Sequence, residues 1–197
     1  REVPKNVRKL ELEAGQRCTG IDFAMERGEG VRGTAVDANG KPLGGAKVTA
    51  FAEINNHHIV NTAESREDGA FFVTGFPPTV GLYVWAGKDD LVSVTNGPYA
   101  LPQGDRALDP VVLQPEAILS GILQDSQGKP LGGLKFVPQF VPDTAYRELA
   151  VESGADGHFE LKGVPAGSYV LRVCRDNEIV NSCPSISLAA GQVVDDL

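Results

Sequence analysis

The chain has 197 residues, 42% of them hydrophobic and 22% charged, a balance that excludes extended disorder and leaves room for two small domains of roughly 85 residues, each able to hold a core. Its 26 acidic and 18 basic residues leave a formal charge of −8, which argues against nucleic acid and anionic membranes as partners, because both reward clustered Lys and Arg. No apolar run approaches the ~20 residues of a membrane helix, so no membrane span is expected; no signal peptide opens the chain, which starts at Arg1 and reads as processed or excised.

The first segment, residues 1–30, contains Leu10–Met25, LELEAGQRCTGIDFAM. Ile21, Phe23 and Met25 alternate with Asp22, Ala24 and Glu26, the pattern of a half-buried strand. A first repeat follows over residues 31–116. Gly33–Lys47 (GTAVDANGKPLGGAK) recurs as Gly121–Lys135 (GILQDSQGKPLGGLK), and Ser65–Gly75 (SREDGAFFVTG) recurs as Ser153–Gly163 (SGADGHFELKG), both 88 residues apart. In Ala46–Phe51 the small apolar residues fall on one face, and Leu134–Val137 keeps the same register. Tyr83 and Trp85 align with Tyr169 and Leu171, which places Trp85 in the core.

The second repeat covers residues 117–197. Ala100–Leu113, which precedes it, is related to Leu10–Met25, and Ile186–Gln192 (ISLAAGQ) matches Leu10–Gln16. The match ends at Leu197, where the first version continues through Ile21 into Phe23 and Met25. The chain thus opens with the tail of a repeat that it does not otherwise contain, and its last repeat lacks one strand.

Strand signals recur every 8 to 12 residues or so between Gly, Pro, Asn and Asp clusters. Asp37–Gly40 and Asp125–Gly128 are turns with Gly where positive φ is needed, and Asp68-Gly69 and Asp156-Gly157 read as two-residue hairpins of type I′. The expected fold is all-β: two tandem seven-stranded, immunoglobulin-like or transthyretin-like β-sandwiches, the second lacking its last strand within the chain.

These residues resemble the carboxypeptidase regulatory-like domain, a transthyretin-like or carbohydrate-binding-like sandwich. The second repeat carries the resemblance best, in Gly121, Asp125, Gly128–Leu131, Asp156–Phe159, Gly163–Gly167 and Tyr169. Such positions are turns and core and say little of function. The resemblance implies a non-catalytic module of a secreted or surface protein.

Candidate sites are few. Cys18, Cys174 and Cys183 lack zinc spacing. Cys174 and Cys183 flank a turn, RDNE, and form a disulfide candidate in an oxidising compartment, with three buried thiols as the alternative; Cys18 is then unpaired or bonded between chains. The pair His57 and His58 has no supporting ligand cluster and reads as a solvated loop. Asp37 and Asp125 open like calcium loops, but the acidic residue that should close each loop is missing. No catalytic constellation is legible, Gly44-Gly45 and Gly132-Gly133 form no phosphate loop, and His158 is Ala70 in the other copy. Tyr99, Phe140 and Tyr146 could stack on sugar rings but form no stripe.

The expectation is a non-enzymatic extracellular or cell-surface structural protein without cofactor or metal: a subunit of a head-to-tail filament held by strand donation, or an excerpt of a longer repeat array. Ile21, Phe23 and Met25 would be the donated strand and other copies of the chain the partner. A carbohydrate-binding or adhesion module is the alternative, and a monomer whose residues 1–26 fold back on the first repeat is a third possibility.

Overall fold

A computed structural model describes residues 12–19, 28–54, 57–78, 80–101, 104–140, 149–176, 178–195 and 197, without the side chains of Phe140 and Cys183. Among these residues there are strands and no helix. The first half holds β1 (Glu29–Asp37), β2 (Lys47–Ile54), β3 (His57–Glu64), β4 (Ala70–Phe76), β5 (Gly81–Lys88), β6 (Leu91–Val92), β7 (Asn96–Ala100), β8 (Arg106–Ala107) and β9 (Val111–Pro115). The second half holds β10 (Ala117–Ile122), β11 (Lys135–Phe140), β12 (Val151–Glu152), β13 (His158–Val164), β14 (Gly167–Arg175), β15 (Glu178–Leu188) and β16 (Val193–Val194). Seven strands per repeat were expected; the first half has nine described strands because β6 and β8 are additional two-residue pairings.

Two separate apolar clusters form. One is built from residues between Val31 and Leu113, the other from residues between Ala117 and Leu188. The period-two pattern explains both. Val48, Ala50 and Ala52 of β2 stand beside Ala86, Val84 and Leu82 of β5, all fully buried. Phe71, Val73 and Phe76 of β4 belong to the same core. In the second half, Phe136 of β11 stacks on Phe159 of β13 with ring centroids 4.2 Å apart, joining the sheet β12-β11-β14-β15 to the sheet β13-β10-β16 face to face.

Trp85 is not a core residue. Leu82, Val84 and Ala86 are the buried face of β5, so Tyr83 and Trp85 lie on the opposite face and are half-buried. The cause is a register slip of one residue. Lys47 pairs with Gly87 and its repeat partner Lys135 pairs with Cys174, so Leu82 and Val84 are the counterparts of Tyr169 and Leu171. A one-residue shift moves every side chain to the other face. Tyr169 is 1% exposed and its phenol donates to the Pro165 carbonyl at 2.7 Å.

The turns also differ from expectation. Asp68 and Asp156 do not have positive φ, whereas Gly69 and Gly157 do, at 76° and 78°. Type I′ needs both central residues positive. Instead Gly69 N donates to Arg66 O, Arg66 N donates to Ala70 O, and the Asp68 carboxylate accepts from Ala70 N at 3.0 Å. The second copy repeats this with Gly154, Asp156, Gly157 and His158. The Asp37–Gly40 and Asp125–Gly128 turns are as expected, with Gly40 and Gly128 both at φ 79°.

A buried serine holds the neighbouring loop in each half. Ser65 Oγ accepts from Ala46 N at 2.9 Å and donates to Leu43 O at 2.6 Å. Ser153 makes the matching bonds with Leu134 N and Leu131 O at 3.1 and 2.9 Å. Gly44 and Gly132 are required by the same packing, since a Cβ on either would lie within 3.0 Å of the backbone of the opposing turn. Ser65→Ala strands a buried N–H and a part-buried C=O, so a loss of about 1–3 kcal/mol is expected. Urea unfolding of Ser65→Ala and Ser153→Ala should show comparable losses in the two halves; no loss in either would show that these hydroxyls are dispensable.

Candidate functional site

Two strands finish the first half. β8 lies parallel to β1, Val31 beside Arg106, and β9 continues alongside it, Ala35, Val36 and Asp37 beside Val111, Val112 and Leu113. The far end of β9 pairs antiparallel with β6, which pairs with β5. β9 therefore connects the β1-β4 side to the β2-β3-β5 side, and all nine strands form one hydrogen-bonded sheet. Its ends meet where Asn61 Nδ2 donates to Thr74 O at 3.1 Å, joining β3 to β4. Val111 and Leu113 are 2% and 0% exposed, while Val112 between them is 41% exposed.

The second half repeats the first of these two strands. Leu119 pairs with Val194, each 88 residues after Val31 and Arg106. β10 pairs only with β13 and β16 among the described residues, and the two sheets of this half share no described strand. A groove of about 570 Å³ opens between them, lined by Leu123, Leu131, Leu134, Val173, Val180 and Leu197, with Asp125 and Arg175 also on it. Leu123 is the counterpart of the fully buried Ala35 and is only half-buried; Gln124, the counterpart of the buried Val36, is exposed.

The N-terminal residues within view repeat the turn that precedes β16. Gln16 N donates to Glu13 O, and the Gln16 side-chain carbonyl accepts from Glu13 N, both at 3.0 Å. Gln192 N donates to Ala189 O at 3.2 Å and its side chain accepts from Ala189 N at 2.8 Å. Gly15 and Gly191 take the left-handed conformation at φ 84° and 72°. Ile21, Phe23 and Met25 follow in sequence but lie outside the described residues.

The other candidates separate. His57 and His58 open β3 as exposed residues rather than sitting in a loop, with His58 5.1 Å from the Phe51 ring. The Asp37 carboxylate accepts from Asn39 N and Lys41 N at 2.8 and 2.9 Å, and Asp125 accepts equivalently from Gln127 N and Lys129 N, so these groups serve turns. His158 is exposed at its turn. Tyr99 is half-buried beneath Arg106, whose guanidinium lies 5.4 Å from the ring, and partial burial raises its phenol above the usual value, with Asp109 acting the same way and Arg106 opposing. The Phe140 side chain and Tyr146 lie outside the described residues.

The expected bridge between Cys174 and Cys183 is not seen among the described residues. Cys174 is a free, half-buried thiol and Cys18 is free and exposed. Arg175 stands beside Glu178, but Cys174 stands beside Ile179 and Arg172 beside Ser182. Cys183 thus lies past Ser182, some three residues along the ladder from Cys174, on the order of 10 Å. A disulfide needs Cα atoms within about 7 Å. The Cys183 side chain is outside the description.

No family model matches the chain, so the carboxypeptidase regulatory-like resemblance has no support beyond the residues that suggested it. No curated protein matches either. Among solved structures, a streptococcal ancillary pilin is 15% identical with a TM-score of 0.36, covering 86% of this chain and 62% of that one. A minor pilin of Streptococcus agalactiae is 13% identical with a TM-score of 0.40, covering 85% and 93%. The shaft pilin spaA from Lactobacillus rhamnosus GG is 12% identical with a TM-score of 0.33, covering 85% and 96%. At such scores the likeness carries no argument about architecture, activity or assembly.

Two predictions follow from this geometry. Leu113→Ala leaves a cavity where β9 closes the first core, and a loss of about 2–5 kcal/mol is expected, read by urea unfolding; a loss well below that range would mean that β9 does not close the core. Alkylation of the unreduced protein followed by mass spectrometry should modify both Cys18 and Cys174, whereas a disulfide-linked peptide joining Cys174 to Cys183 would contradict the strand register.

Proposed function

We propose that the chain is a non-catalytic structural protein of the cell exterior, a repeat module that joins to its neighbours head to tail by strand donation. The observation that carries the reading is the contrast between the halves. β9 covers a strip of core and connects the sheets in the first, while the same strip in the second faces an apolar groove. An uncovered strip beside a strand edge is a template for a strand from elsewhere. Each copy would give near its start and receive near its end, so the contact is heterologous and propagates unless it closes into a ring. The surface location rests on the fold resemblance of the two repeats, and the pilin likenesses add no weight to it.

A carbohydrate-binding or adhesion role is the second reading. A cleft of about 730 Å³ in the first half favours it, with Arg32, Arg66, Glu64 and Asp105 around Phe71 and Phe72. Its halves are unlike: Arg66 and Phe72 are replaced by Gly154 and Glu160 in the second copy. A cleft of this kind is compatible with assembly and does not explain the open groove.

Sedimentation at decreasing concentration tests the assembly reading. The wild-type chain is expected to show species larger than the monomer, in proportion to concentration. Phe23→Asp, or removal of residues 1–26, should leave a monomer whose first half unfolds in urea as in the wild type. A wild-type chain that is monomeric at every concentration, or variants that assemble normally, would overturn the reading.

A further inference from the structure

The cleft of the first half has a chemistry of its own, independent of assembly. We infer that it binds a carboxylate-bearing saccharide of the uronic- or sialic-acid type, with the Phe72 ring against the sugar and the guanidinium groups of Arg32 and Arg66 on its carboxylate. This rests on the carbohydrate-binding reading of the cleft and adds the ligand's charge and the atoms that meet it.

β1 and β4 set the centre of the cleft. Arg32 pairs with Phe72, and both are exposed, while the neighbouring pair Val31 and Val73 is buried, so Arg32 and Phe72 share the face turned away from the core. The Phe72 ring packs on Gly30, where a Cβ would lie 2.8 and 3.0 Å from its Cε2 and Cζ. The ring is thus seated on backbone, yet Phe72 remains 38% exposed. Asp105, just ahead of β8, is fixed beside this seat by accepting from Gly30 N at 3.1 Å. Arg66 enters the cleft from the turn between β3 and β4, and Glu64 from the end of β3.

The second copy shows which of these groups the fold itself requires. Gly33 and Phe71, which also line the cleft, return 88 positions on as Gly121 and Phe159, and Glu64 returns as Glu152. The rest do not. Arg32 becomes Ser120, Arg66 becomes Gly154 and Asp105 becomes Val193, while Gly30 and Phe72 change together to Ile118 and Glu160. Among the described residues neither guanidinium has an ion-pair or hydrogen-bond partner. A chain charge of −8 repels anions in general, so two cations beside one ring form a local exception. Each part matches one feature of an acidic sugar. Arginine takes a carboxylate by two parallel bonds, the negative face of the ring attracts the polarised C–H groups of a pyranose, and the carboxylates of Glu64 and Asp105 accept from hydroxyls. An acidic peptide lacks the row of hydroxyls, and its further charges would meet those two carboxylates. A cleft of about 730 Å³ has the size usual for small-ligand sites.

The test presents the whole chain to a printed panel in which glucuronate- and sialate-bearing oligosaccharides stand beside their methyl esters and their neutral counterparts, with sulfated sugars and tetraglutamate as further members. Isothermal titration then measures the strongest binder. A carboxylate-bearing sugar is expected to bind, and its methyl ester to bind roughly tenfold more weakly, the weight of one charge-assisted hydrogen bond. Arg32→Gln and Arg66→Gln should each cause a loss of that order for the acid and none for the ester. Phe72→Leu should weaken both, and Phe72→Tyr, which keeps the ring, should not. Lys162→Gln, at an exposed cation of the second half, should change nothing. Urea unfolding should be the same for all these variants, since the three cleft positions are exposed. Neutral sugars that bind as tightly as the acids overturn the inference and leave the carbohydrate-binding reading standing. Binding of no saccharide overturns both. Tighter binding of tetraglutamate or of sulfated sugars assigns the cleft to an acidic peptide or to sulfate and overturns the inference as well.

Discussion

The parallel pairing of β9 with β1 is the contact on which the rest of the first half depends. β9 inserts Val111 and Leu113 into the core, and its other edge pairs with β6, so a five-residue strand joins two groups of strands that would otherwise meet only through side chains. Burial of the two side chains contributes about 1.5–3 kcal/mol each, and the ladder bonds on both edges remove the exposed strand borders that a small β protein must otherwise protect. In the second half the two sheets pack through Phe136, Phe159, Tyr169 and Leu171, and no described strand joins them. Among the described residues the difference between a continuous sheet and an open sandwich thus comes down to one short strand.

What the two halves share is the scaffold that presents that difference. The buried hydroxyls of Ser65 and Ser153 take the same two backbone partners in each copy, and the carboxylates of Asp37 and Asp125 each accept two backbone N–H bonds from their own turn. These local bonds satisfy loop backbone that packing would otherwise bury unpaired. The Oδ1 atoms of Asp37 and Asp125 are thereby engaged in the shape of their own turns.

Edges elsewhere are guarded by different means. β3 is a terminal strand with exposed Val60, but Asn61 reaches across to β4 and closes much of that side. β15 is the other long terminal strand, and it carries Pro184, which has no N–H to offer an approaching chain. At Leu123 the backbone N–H donates to Gly157 O and the carbonyl accepts from Leu131 N, while its neighbour Gln124 is exposed.

By itself the sequence determined the all-β class, the 88-residue repeat, the Asp37–Gly40 and Asp125–Gly128 turns and the buried face of β2, because each of these is set by spacing along the chain. Asp125 and Gly128, for example, specify their turn through bonds no more than four residues long. Only the tertiary structure decided the rest. Trp85 was misplaced because Tyr83 and Tyr169 look equivalent in sequence, whereas pairing of Lys47 with Gly87 and of Lys135 with Cys174 slips the comparison by one residue and turns Trp85 outward. Cys174 and Cys183 are neighbours along the chain but not across the ladder, because register and bulges in β15 govern what faces Cys174. The groove at Leu123 was invisible for the same reason: it is formed by residues from β10's extension, β14 and β15, and only long-range packing brings these to one place and leaves the space between them open.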